Sequence, residues 1–72
     1  MPRVINPTKL LLSKWTAVTP ENREKHFLVT RLLRDENENV TGCVLEAVMT
    51  HREQSLDWRA LKDQSRWHTG WR

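Results

Sequence analysis

His26-Phe27-Leu28-Val29-Thr30-Arg31-Leu32-Leu33-Arg34, then Asp35-Glu36-Asn37-Glu38-Asn39, then Val40-Thr41-Gly42-Cys43-Val44-Leu45-Glu46-Ala47-Val48-Met49-Thr50-His51-Arg52, form one unbroken stretch. Two runs rich in β-branched and apolar residues flank five polar ones, the pattern of two antiparallel strands and a hairpin loop. Register follows from the apolar pattern, because a slip of one residue exchanges the faces of a strand. Pairing Glu36 with Val40 across a three-residue loop, with Asn39 left-handed, puts Phe27 opposite Met49 and Val29 opposite Ala47. Arg31 then meets Leu45, and Leu33 meets Cys43. A slip of one residue would set Val29 against Glu46 and mix the faces.

Working outward, Ser13 to Val18 reads as a preceding strand, with Thr19-Pro20-Glu21-Asn22 as a type I-like turn and Asn22 suited to positive φ. Trp15 falls beside Val29 and Ala17 beside Phe27. The inner face becomes Trp15, Ala17, Phe27, Val29, Leu33, Cys43, Leu45, Ala47 and Met49. On the other face Leu28, Leu32, Val44 and Val48 form an apolar cluster where a one-sided sheet would be polar. Gly42 inside the third strand signals a bulge near the hairpin.

Beyond Arg52 the alternation stops. Ser55 is placed to cap a short helix over about Leu56 to Asp63, and a further helical turn near Ser65 to His68 would stop at Gly70. The expected fold class is mainly β: a three-stranded antiparallel meander, open or closing into a small partial barrel, with a short helical C-terminal tail on one face. Residues 1–72 make one small domain: a flexible arm (1–9), the meander (10–53) and a Trp-rich helical tail (54–72).

The chain is 29% charged and 38% hydrophobic, with four Trp, one Cys and a net charge of +3. Each buried indole removes about 150–250 Å² from water, so the tryptophans are core material first. A single cysteine cannot form an intramolecular disulfide, and Leu10-Leu11-Leu12 is too short for a membrane span, so a cytoplasmic location is expected. Charge is segmental: +5 over residues 1–34, −5 over 35–57 and +3 over 58–72. That layout favours internal pairing over a uniformly basic nucleic-acid surface.

Every tryptophan has a basic neighbour, in Lys14-Trp15, Trp58-Arg59, Arg66-Trp67 and Trp71-Arg72. Aromatic platforms with cationic flanks hold single-stranded nucleic acid, which makes Trp58, Arg59, Arg66, Trp67, Trp71 and Arg72 a candidate platform. Sequence neighbours on a strand point to opposite faces, however, so adjacency alone does not build a surface. His26, His51, His68 and Cys43 match no compact metal-ligand spacing, and Cys43 lies on the core face. Glu24, His26, Glu46 and Arg52 approach one another across the outer face, an arrangement that charge pairing accounts for. No catalytic, cofactor or metal site is expected, nor an enzyme.

The stretches Asn6-Pro7-Thr8-Lys9-Leu10-Leu11-Leu12-Ser13-Lys14-Trp15-Thr16-Ala17-Val18, Glu24-Lys25-His26-Phe27, Leu45-Glu46-Ala47-Val48 and Trp58-Arg59-Ala60-Leu61-Lys62-Asp63, with Trp67 and Gly70-Trp71, together resemble a known group. It is the family of small tryptophan-rich conserved hypothetical proteins of bacteria, and the resemblance covers about residues 6–71. It implies a bacterial cytoplasmic domain and carries no activity onto particular residues. Two roles compete: a protein-interaction or homodimerisation module using Leu28, Leu32, Val44 and Val48, and a single-stranded RNA- or DNA-binding module using the Trp/Arg platform. The first is preferred.

Overall fold

The computed structural model describes residues 5–72. Five antiparallel strands form one open sheet in the order β4-β3-β2-β1-β5: β1 (Lys14–Glu21), β2 (Glu24–Arg34), β3 (Val40–Ala47), β4 (Glu53–Asp57) and β5 (Trp67–Thr69). Two short 3-10 turns, Pro7–Lys9 and Trp58–Lys62, complete it. The mainly β reading holds, but three strands become five and the helical tail is replaced. Of the arm expected over residues 1–9, residues 1–4 lie outside the described residues. Residues 6–10 form a turn capped by the Asn6 side chain, and Ile5 and the buried Leu10 join the core.

The central β2–β3 hairpin closes one residue earlier than expected. Asp35 N–H donates to the Asn39 carbonyl, and the Asp35 carboxylate accepts from the Asn37 and Asn39 N–H groups at 2.8 and 2.9 Å. This Asx arrangement makes Glu38, with φ 64°, the left-handed residue in place of Asn39. Phe27 therefore meets Ala47 and Val29 meets Leu45, a shift of two residues along β3. An even shift preserves the faces, so Phe27, Val29, Leu45 and Ala47 still share the core. Met49 falls beyond the ladder and is 79% exposed.

Two bulges complete the register. At Thr30 the pairing steps from Val29↔Leu45 to Arg31↔Val44, which turns Leu32 toward Cys43 and the core and moves Leu33 to the outer face opposite Gly42. A second shift, between Leu33↔Gly42 and Arg34↔Val40, is the one Gly42 signals. On the first hairpin, Trp15 faces Phe27 rather than Val29, and a two-residue turn of Asn22 (φ 54°) and Arg23 (φ 62°) joins Glu21 to Glu24. Two consecutive left-handed residues define a type I′ turn, whose twist matches the flanking strands better than a type I turn would.

The third strand ends at Ala47 instead of Arg52. Residues 48–51 turn the chain, with His51 at φ 62°, and Glu53–Asp57 return along β3. This edge strand hides from periodicity because only Leu56 is partly buried among five residues. Asp57, rather than Ser55, then caps the 3-10 turn by accepting from Arg59 N–H at 2.9 Å. Trp58 and Leu61 from that turn fill the inner face, and Trp67 enters β5 opposite Ala17 where a helical turn was expected. The molecule measures 36 × 31 × 16 Å, one sheet with a single covering layer.

Two outcomes test this geometry. A Cβ on Gly42 would stand 2.7 Å from the Leu56 carbonyl oxygen of β4. Gly42→Ala should therefore cost about 1–3 kcal/mol in urea denaturation, through displacement of β4. Arg23→Gly should relieve the left-handed strain and add roughly 0.5–1 kcal/mol, read as a Tm rise of about 2–6 °C.

Candidate functional site

The outer face differs from its sequence reading. Leu28, Val44 and Val48 remain on it, but the Thr30 bulge carries Leu32 to the core side. Val44 is covered by its neighbours, Leu28 is half-buried and Val48 is exposed. Across the strands one row reads Lys14–Leu28–Glu46–Glu53. The adjacent row reads Thr16–His26–Val48, since Val48 N–H donates to the His26 carbonyl and extends the β2–β3 ladder by one step.

The C-terminus contributes what the sequence did not place. Gly70, at φ 77°, lets the chain leave β5 and cross the sheet edge. Thr16, 2% exposed, donates its hydroxyl to the Gly70 carbonyl at 2.6 Å and accepts from Arg72 N–H at 3.0 Å. The Arg72 carbonyl lies 2.8 Å from His26 Nε2. Trp71 is thereby laid on the outer face: its indole N–H donates to the Phe27 carbonyl at 2.9 Å, Lys14 Nζ sits 4.8 Å above the ring, and the His26 ring is 6.1 Å away. The ring is held on three sides yet remains 44% exposed. The residue pattern held one signal for this, a glycine before the last aromatic.

The proposed Trp/Arg platform is not assembled. Trp58 and Trp67 are buried, Trp67 edge-on to Phe27 at 5.3 Å. Arg59 and Lys62 stand 5.2 and 5.0 Å over the Trp58 ring, occupying the faces a base would need. Trp71 and Arg72 lie on the opposite side of the sheet from these rings.

A second feature is a cleft of about 350 Å³ on the inner face. It exists because β1 leaves β2 after Thr16 and rejoins only at Glu21, while its pairing with β5 continues to Ala17. Ala17, Phe27 and Trp67 line it together with Arg52, Gln54 and Arg66, so both sheet edges contribute. Glu24, 6% exposed, is fastened there by the Thr50 hydroxyl and by Arg52 Nε at 3.4 Å. The charge cluster read from the sequence thus divides into Glu24–Arg52 and Glu46–His51, the latter at 3.0 Å, while His26 turns to the C-terminus.

The family model described as Tryptophan-rich protein (DUF2389) matches residues 13–72. The chain belongs to that family. No curated protein and no solved structure matches it. Among the described residues no group of three or more His, Cys, Asp or Glu is arranged to hold a metal ion, and no helix is long and apolar enough to cross a membrane.

Cys43 is fully enclosed between β2 and β4. Burial, reinforced by the nearby Asp57 charge, pushes its thiol up to about 11. Only the thiolate is a nucleophile, so this group is packing rather than chemistry. The unfolded chain releases the proton first, near 9.0, so folding stability is complete below that pH and falls as pH rises toward 11. Denaturation at pH 8 and pH 10.5 should show the loss, on the order of 2 kcal/mol, and Cys43→Val should flatten it.

Proposed function

We propose that this member of the tryptophan-rich family is a non-enzymatic module that pairs with a second copy of itself through the outer face of its sheet. The observation that carries the reading is the asymmetry of one row: Lys14 on β1, Leu28 on β2, and Glu46 and Glu53 on β3 and β4. A twofold axis parallel to the strands and passing over Leu28 lays Lys14 of each copy above Glu46 of the other. The same operation carries Trp71 over Val48 and its exposed neighbour Met49. A closed isologous interface needs a surface that complements itself in this way.

Size and preorganisation support the same reading. A sheet face within 36 × 31 Å has room for the roughly 800 Å² per partner of a standard interface. Trp71 is already fixed by the Phe27 carbonyl, Lys14 and His26, so little side-chain freedom is lost on docking. The charge bands serve the pairing, with the basic first half of the chain opposite the acidic middle. The proposal places the protein in the bacterial cytoplasm, where its lone thiol stays reduced.

Light scattering across a dilution series tests this. A mass of two chains at high concentration is expected, with Trp71→Ala weakening association by about tenfold or more. Lys14→Glu should weaken it too, and adding Glu46→Lys should restore it. A mass of one chain at every concentration, or association indifferent to Lys14→Glu, overturns the proposal.

A further inference from the structure

We propose that the inner-face cleft is a binding site for a small monocarboxylate with a flat apolar body. The site lies on the face opposite the pairing surface and stands or falls independently of it. Its volume, about 350 Å³, is within the range of small-molecule sites, and its mainly polar wall includes the edges of Phe27 and Trp67, which meet edge to face at 84°.

Four charged side chains line the cleft: Glu21, Glu24, Arg52 and Arg66. Glu24 is spent on Arg52 and the Thr50 hydroxyl. That pair engages Arg52 through Nε, and among the described residues its outer guanidinium nitrogens have no ion-pair partner. Arg66 is exposed, lines the same cleft and has its backbone fixed there, accepting from Val18 N–H at 2.9 Å and donating its own N–H to the Asp63 carbonyl at 3.1 Å. Two guanidinium groups beside aromatic edges match a planar carboxylate, which they can hold through paired N–H donors. The exposed Glu21 charge at the β1–β2 turn weighs against a polyanion such as a nucleic-acid backbone, leaving a single negative charge as the fitting class.

Benzoate is a suitable probe and neutral benzamide its control, read by the indole N–H signal of Trp67 in a two-dimensional NMR titration. Benzoate should shift that signal saturably, with benzamide and the variant Arg66→Gln each weakening binding by about tenfold. Arg66 is exposed, so the variant should keep the dispersed spectrum of the parent. No saturable shift, equal affinity for benzamide, or indifference to Arg66→Gln in a folded sample would each overturn the assignment.

Discussion

The β2–β3 ladder is the constraint on which the rest of the molecule depends. Its register is fixed at one end by the Asp35 carboxylate, which takes two backbone N–H groups of the loop, and reset in its middle by the bulge at Thr30. Those two devices decide which side chains are enclosed. Val29, Cys43 and Leu45 lose all solvent contact, and Leu32 rather than Leu33 packs with them. Both remaining hairpins then build outward from this pair, β1 on β2 and β4 on β3. A change in the ladder would reach every strand, because each side chain on the sheet takes its face from it.

One connection covers one face. The segment from β4 to β5 carries Trp58, Leu61 and Trp67 across the inner side, and with Trp15 they seal the core. Past β5 the chain hooks Trp71 over the sheet edge onto the second face, where its indole N–H donates to the Phe27 carbonyl. The four tryptophans therefore divide by the face they reach: Trp15, Trp58 and Trp67 seal the core, and Trp71 is displayed. β1 pairs with both β2 and β5 at Trp15 and Thr16, and where it parts from β2 beyond Thr16 it leaves a gap whose lining includes Phe27, Trp67, Arg52 and Arg66.

Much of the core was legible from alternation alone. Trp15, Ala17, Phe27, Val29, Cys43, Leu45 and Ala47 share the inner side as their spacing requires, although the pairing is displaced by two residues. An even displacement is invisible to a two-residue period, which explains how correct faces accompany incorrect partners. The bulge at Thr30 was not legible, because no residue type there demands it, and it dissolved the cluster of Leu28, Leu32, Val44 and Val48 as a single surface. The last strands were missed for another reason. Glu53–Asp57 shows water both its outer face and its free edge, so its sequence bears almost no apolar signal. Trp67–Thr69 is three residues long, shorter than any pattern that repeats.

By itself, then, the sequence determined the class of fold, the central hairpin, the inner face and the inert setting of Cys43. These follow from local turn chemistry and from the period of two, which act between near neighbours in the chain. Only the tertiary structure decided the identity of the exposed tryptophan, the guanidinium-lined cleft and the composition of the open face. The displayed tryptophan depends on contacts across 44 and 56 positions, Trp71 to Phe27 and Arg72 to Thr16, and the cleft brings Ala17 and Phe27 to Trp67. Contacts at that separation depend on how the whole chain closes, and no local pattern records them.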